Sequence, residues 1–403
     1  MNATRPVGVG VIGCGGIGRW HATSLQQLSG VRLVAVADPD ATAREAAARR
    51  FGVPALSSAE ALLQRGDIEL VSICTPPSAH APLIEAAAAA GKHVLVEKPM
   101  ATTVADADRA IAACRANRVQ LGVVHQQRAQ SSARALHQLA ASGAFGRLLL
   151  ATATHTWFKT RSQLERDGWR GDAAAGGGLL LDQAVHAIDL LLWFLGVPEW
   201  VSGASATLAG LPGVDHTAVA TIGFTGGALA VLAAGSATNR SRDDITLELS
   251  GTRGGFRLEV RDYDAAEVTR LDLAQAEGVR ARALGAAEIE RIVQGAGGTW
   301  RRGPASLVWR LAARVAGPDR GTHPFRSVSG YLRRRADRVA QRERGEPQAH
   351  AEVLARMAAA VRGEGVPLVT GDEARRSLQI VEAIRRSHAL GGQRVALEHS
   401  EAR

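Results

Sequence analysis

Lys98 closes the apolar run Val94-Leu95-Val96-Glu97-Lys98-Pro99, and it is one of only three lysines, with Lys92 and Lys159, among 48 basic residues. Where nearly every surface cation is arginine, a retained lysine points to chemistry that a guanidinium cannot supply. Its ammonium is compact and its pKa responds to burial. The competing reading is a side chain that leaves a strand end for solvent. A second constellation lies in the apolar stretch 179–195, where Asp182, His186 and Asp189 stand at i, i+4 and i+7. That spacing puts them on one face of a helix. A histidine on such a stripe is either a satisfied core residue or a general acid–base near neutral pH.

A third group is Gly13-Cys14-Gly15-Gly16-Ile17-Gly18, after the apolar run 7–12 and before a helix-like segment 17–28. An overlapping match starting at Gly8 is rejected because almost nothing precedes it to form a strand. Glycines at these spacings make a tight turn, let backbone approach a pyrophosphate and let helix pack on strand. The helix start then offers unpaired N–H groups to the phosphates. Asp38 ends the next strand, 31–37, twenty residues past Gly18, where a ribose-binding carboxylate is expected. A carboxylate there accepts from a ribose 2′-OH and repels a 2′-phosphate, so NAD is expected over NADP. Arg44 is the nearest arginine that could swing over.

The elements that must position these groups alternate. Strands are expected at 7–12, 31–37, 70–74, 94–99 and 120–124, and helices at 17–28, 41–50, 58–64, 80–90 and 104–117. Such alternation means a parallel, doubly wound sheet, whose ligands bind beyond the carboxyl ends of the strands. The glycine loop, Asp38, Thr75 and Lys98 all follow strand ends and should line one crevice. The candidate cofactor contacts are Gly13, Gly15, Gly16, Ile17, Gly18, Asp38, Thr75, Pro76, His80, Glu97 and Lys98.

From about His125 the pattern changes. A helix 131–142, a strand 148–155, the helix 179–195 and strands at 217–224, 228–235, 245–250 and 256–260 imply an α+β domain with a largely antiparallel open sheet. Helices 350–362 and 372–389 close the chain. The expected division is a dinucleotide-binding domain over 1–125 and a substrate and oligomerisation domain over 126–403, with a basic insertion at about 261–347. That sheet has too few following helices to cover both faces, so a homodimer or homotetramer is expected. The loop 157–172 mixes aromatic and basic side chains. Trp157, Lys159, Arg161, Trp169 and Arg170 suit a polyol or an anionic sugar; equally, the aromatics pin the loop to the sheet.

Composition narrows the class. The chain has 403 residues, 46% hydrophobic and 22% charged, with a formal net charge of +9. Between positions 265 and 345, sixteen arginines face eight acids, a local excess of eight. Within it, residues 304–315 read as a cationic amphipathic helix, which either packs as part of an insertion, lies on an anionic membrane surface or docks on an acidic partner. No nucleic-acid motif accompanies the charge, so nucleic acid is not expected. Cys14, Cys74 and Cys114 form no CxxC, as expected of free thiols in a reducing cytoplasm. No secretory signal pattern opens the chain, and no metal-ligand motif is read from it.

The glycine loop, the Glu97-Lys98-Pro99 motif and the stretch Gly176-Gly177-Gly178-Leu179-Leu180-Leu181-Asp182-Gln183-Ala184-Val185-His186-Ala187-Ile188-Asp189 resemble the glucose–fructose oxidoreductase/inositol dehydrogenase (Gfo/Idh/MocA) family. The likeness runs on into 367–387 and spares 261–347, which is unusually long for that family. It implies a nicotinamide-dependent enzyme acting on sugars or cyclitols. The family's catalytic lysine falls on Lys98, its histidine on His186 and its helix acid on Asp182, where some relatives carry asparagine. The implied roles are general base for His186, stabilisation of the developing alkoxide for Lys98, and, for Asp182, orientation of the His186 ring or a place beside it. Lys98, Asp182 and His186 join the loop residues as candidate substrate contacts. Relatives also include glycosidases that oxidise the sugar transiently and a non-catalytic NAD-binding regulator, and both stand as alternatives.

Overall fold

The computed structural model describes residues 5–166, 168–207, 211, 213–236, 244–261, 265–274, 282–284, 286–295 and 348–398. Strand β1 (Val7–Ile12) is buried along its whole length. It can be apolar throughout because helices cover both faces of a parallel sheet. It pairs in parallel with β2 (Val31–Ala37) and with β4 (Leu70–Ile73). With β3 (Ala55–Leu56), β5 (His93–Glu97) and β6 (Leu121–Val124), the order is β3-β2-β1-β4-β5-β6. The order reverses between β1 and β4, and a crevice opens there beyond the strand ends.

The crossovers are α1 (Gly16–Gln27), α2 (Ala41–Phe51), α3 (Ala59–Leu63), α4 (His80–Ala89) and α5 (Val104–Ala116). Local chemistry sets several starts. Asp40, Ser58 and Thr103 accept from the backbone N–H of Ala43, Ala61 and Asp106, filling donors that a helix start leaves bare.

The second half holds α6 (Ser131–Ala141), β7 (Leu148–Thr156), α7 (Arg161–Arg166), α8 (Val185–Leu195), β8 (Pro198–Ala206), β9 (Thr217–Phe224), β10 (Leu229–Gly235), β11 (Asp244–Gly251), β12 (Gly254–Arg261), β13 (Ala265–Leu273), β14 (Arg282–Ala283), α9 (Ala286–Gly295), α10 (Gln348–Val361), α11 (Gly371–Ala389) and β15 (Val395–Ala396). Among the described residues nine strands run β14-β13-β12-β11-β7-β10-β9-β8-β15, and of these pairs only β7–β10 is parallel. The sheet is therefore largely antiparallel, as expected. One face shares a core with α8 and α11 through residues such as Ala153, Ile222, Leu232, Leu247, Ile188, Leu191 and Ile384. The other face leaves Leu150, Val219, Leu229 and Val231 between 40% and 51% exposed.

Three sequence expectations are corrected. Strand β8 was not anticipated, because Ser, Gly and Ala dilute its alternation. Strand β13, rich in charge, lies inside the expected insertion; it extends the sheet by pairing along β12, so regular structure continues past residue 261. The expected single helix over 179–195 is instead a π-helical turn, Leu180–Ala184, followed by α8. Val353, Leu354 and Met357 of α10 pack in one cluster with Val9, Leu25 and Leu95 of the first sheet and α1. The amphipathic stretch 304–315 and the arginine runs around it lie outside the described residues.

Candidate functional site

The glycine loop follows β1. Gly13 has φ +97°, and a Cβ there would lie 2.6 Å from the Cys74 carbonyl oxygen, so only glycine fits. Cβ atoms at Gly15 and Gly16 would meet nothing within 4 Å. With Ile17 these residues form an exposed lip at the start of α1, which has no acid in its first turn. That is a cradle open to a pyrophosphate. Asp38 stands at the end of β2. Its Oδ2 accepts from the Cys14 N–H at 2.7 Å and its Oδ1 from the Asp40 N–H at 2.8 Å, which ties the carboxylate to the loop. Arg44 Nη1 donates to the carbonyls of Asp38 (2.8 Å) and Pro39 (3.2 Å), so this arginine already sits beside the acid.

Thr75 and exposed Pro76 follow β4. The Thr75 hydroxyl oxygen is buried and has no protein partner, a polar atom left for a ligand. His80 is buried and bridges the carbonyls of Pro99 (2.7 Å) and Thr75 (2.9 Å), which ties the two loops together. The Gly13–Gly18 loop, Asp38 and Thr75 thus lie together beyond the strand ends, with Pro76 exposed next to Thr75. Glu97 and His80 face inward instead, each engaged by protein groups.

Lys98 leaves the end of β5 across the crevice. Its Nζ donates to the Asp182 carbonyl and lies 3.4 Å from Asp182 Oδ1. The π-turn Leu180–Ala184 replaces the regular α-helical ladder at the point where the Asp182 carbonyl accepts from Lys98. Ahead of the turn, Gly178 has φ +108°, and a Cβ there would press on Asp215 Oδ1 at 2.8 Å. Asp215 Oδ1 accepts from the Leu180 N–H at 2.8 Å, and Arg385 holds the other oxygen at 2.8 Å. The glycine run therefore lets Asp215 cap the turn that carries Asp182.

Asp182 is buried between two cations. Oδ1 faces Lys98, and Oδ2 accepts from Arg170 Nε at 3.1 Å. Burial opposes its charge, yet Lys98 and then Arg170 pull its pKa below the ordinary aspartate value. The resemblance implied that Asp182 orients His186 or sits beside it; its carboxylate is directed at Lys98 and Arg170.

His186 lies one turn further along, 1% exposed. Burial first, then the charge of Lys98 and the neighbouring histidines, hold its pKa well below the ordinary value, so the ring is neutral at neutral pH. The rings of His125 and His155 each lie 6.4 Å from it. Sequence reasoning missed both. His125 follows the end of β6, the same topological signal that marked Lys98. His155 continues the inward alternation of Ala151 and Ala153 along β7.

The loop residues divide. Trp157 is buried in a small cluster with Leu164, Leu211 and Val214, so it pins the loop, and Lys159 Nζ lies 4.9 Å from its ring centre. Arg170 stacks on Trp169 at 4.4 Å and reaches Asp182. Arg161, exposed on α7, pairs with Glu165 at 2.8 Å and is not among the residues lining the cleft at Asp182. A cleft lined by Trp157, Arg170, Asp182, Asp215, His216 and Ser236 opens onto the acid.

Residues 7–125 match the family described as "Oxidoreductase family, NAD-binding Rossmann fold", and residues 133–257 match its "GFO/IDH/MocA C-terminal domain". The chain is 29% identical to D-apiose dehydrogenase of Paraburkholderia graminis over 280 residues, 67% of this chain and 70% of that protein. It is 34% identical to inositol 2-dehydrogenase of Ralstonia nicotianae over 192 residues, 47% of this chain and 54% of that protein. Among solved structures, the WlbA dehydrogenase of Bordetella pertussis, in complex with NADH and UDP-GlcNAcA, superposes with a TM-score of 0.77 at 24% identity, covering 99% of this chain and all of that one. Levoglucosan dehydrogenase in complex with NADH superposes with a TM-score of 0.76 at 22% identity, covering 98% of this chain and 100% of that one.

Proposed function

The chain belongs to the Gfo/Idh/MocA oxidoreductase family, and from that premise we propose that it is an NAD-dependent dehydrogenase interconverting a hydroxyl and a keto group on a sugar, sugar derivative or cyclitol. The observation that carries this reading is the cluster at the crevice. The ammonium of Lys98 is held by Asp182 beside a buried, neutral His186. The glycine cradle, Asp38 and Thr75 are the residues to hold the dinucleotide, and its nicotinamide supplies the hydride chemistry when bound.

His186 accepts the hydroxyl proton as general base and returns it in the reductive direction. A ring held neutral is ready for the first task. Lys98 provides a fixed positive charge where oxygen becomes alkoxide, in a site whose burial strengthens it. Asp182 keeps that ammonium in place and shares its charge with Arg170. Relatives named for D-apiose, inositol and levoglucosan support the substrate class.

Screening sugars, cyclitols and nucleotide sugars for NAD reduction tests the reading. Stoichiometric accumulation of NADH with one of them is the expected result. Bond cleavage in a glycoside without NADH accumulation would replace it with the transient-oxidation mechanism. No turnover with any of them, despite tight NAD binding, would favour a regulator.

A further inference from the structure

We propose that His21 and Glu97 form a buried, proton-sharing pair that positions Lys98. The proposal rests on the catalytic reading of Lys98 and adds the residues that set where it stands. Glu97 is the last residue of β5 and is 7% exposed. A carboxylate taken from water needs charged or hydrogen-bonding partners for both oxygens. Its Oε1 faces His21 Nε2 at 3.0 Å, and its Oε2 accepts the backbone N–H of Lys98 at 3.2 Å.

His21 lies on α1, the helix that starts at the glycine cradle, and is 1% exposed. Its Nδ1 is 2.7 Å from Ser72 Oγ on β4. His350, from α10, closes the remaining side: its Nε2 is 3.9 Å from Glu97 Oε1, and its ring stands edge-on to His21 and to Trp20, each with centroids 5.6 Å apart. One carboxylate therefore joins the cofactor helix to the backbone of the catalytic lysine.

The charges agree with this geometry. Burial disfavours a charge on His21, but Cys74 and Glu97 outweigh it and raise the ring above an ordinary histidine. Burial likewise opposes charge on Glu97, and the hydrogen bond and charge of His21, with His350 and Lys98, hold it below the usual carboxylate range. His350 is pushed down to about 4, chiefly by burial, and stays neutral. The groups that face His21 are Ser72 of β4, Cys74 just past its end, Glu97 of β5 and His350 of α10.

Ligand atoms of His21, Glu97 and His350 lie within 4.8 Å of one another, close enough for a metal ion. Both ring nitrogens of His21 already have protein partners, so the occupant that this geometry calls for between His21 and Glu97 is a proton.

The three lysines make the test direct, because labelling lysine with heavy nitrogen gives three amide signals. Lys98→Arg assigns the one that matters. In the NAD complex, His21→Gln and Glu97→Gln should each move the Lys98 amide proton upfield while Lys92 and Lys159 stay in place. The double variant should match the singles, because both act through one chain of contacts. In histidine-labelled protein at about pH 8.5, two units above an ordinary histidine, one doubly protonated ring should persist and vanish in His21→Gln.

An unmoved Lys98 amide, shifts that add in the double variant, or the protonated ring surviving in His21→Gln would overturn the proposal. So would stoichiometric zinc in the purified protein that His350→Ala abolishes. None of these readouts needs substrate. If Lys98→Ala keeps its turnover, the catalytic reading fails while the amide shifts still decide the positioning.

Discussion

Arg128 grips Asp189 with both arms of its guanidinium, Nε to Oδ2 at 2.9 Å and Nη2 to Oδ1 at 2.8 Å, and both side chains are buried. Asp189 stands three residues past His186 on α8, so this clamp fixes the rotation of the helix that presents the histidine. The polar stripe read from the sequence thus splits into two jobs. Asp182 faces Lys98, whereas Asp189 faces Arg128, which also reaches Glu373 of α11 at 2.7 Å.

Removing one partner of a buried pair leaves the other charge stranded. Arg128→Met should cost about 3–5 kcal/mol of stability, and pairing it with Asp189→Leu should recover much of that. Chemical unfolding of the two variants measures the difference. Equal losses in both would mean that the clamp contributes little.

Lys98→Ala and His186→Ala should each lower turnover by roughly 10²–10⁴-fold, the usual cost of losing a placed acid–base or charged group. NAD affinity, read by fluorescence titration, should stay within a few-fold. A His186→Ala protein that fails to fold would mark that residue as core instead.

The cofactor preference should rest on Asp38. Arg44 already stands against the Asp38 carbonyl, so Asp38→Ser should raise the relative use of NADP, and adding Pro39→Arg should raise it further. Comparison of kcat/KM for the two dinucleotides decides, and a wild-type preference for NADP would remove the role given to Asp38.

Stability should fall with acid. Burial, the leading cause for each, lowers His155 and His350 from 6.5 to about 4. The unfolded chain therefore binds protons first as pH drops. The contribution is complete above about 6.5 and is lost progressively down to about 4, on the order of a few kcal/mol in all. Thermal melts across that window should show it, and His155→Leu should flatten the slope.

The uncovered sheet face should bind a second copy. Leu150 lies opposite Leu229 in register, and Val231 opposite Thr221. Towards β13 the charges neutralise one another, as in Arg270–Glu248 at 2.5 Å, so an identical face meets no net repulsion. A second copy would cover this exposed apolar stripe. Val219→Asp with Leu229→Glu should turn a dimer or tetramer into a monomer by light scattering; a monomeric wild type would refute the idea.

The sequence by itself determined the parallel sheet, the glycine cradle, Asp38, Lys98 and the helix carrying His186. Each is written in short-range signals: apolar runs of strand length, glycines at turn spacings, and residues placed just past a strand end. Parallel topology then sends every strand end to one edge, so convergence on the crevice could be argued without coordinates. Tertiary structure alone decided the partners. That Asp182 holds Lys98 across 84 residues, that Asp189 holds Arg128 across 61, and that Glu97 turns inward to His21 across 76 depends on packing between distant elements, which leaves no periodic trace. The π-turn was hidden for the same reason. An apolar run reads as one continuous helix, whereas the π-turn falls where Lys98, arriving from another strand, meets the Asp182 carbonyl.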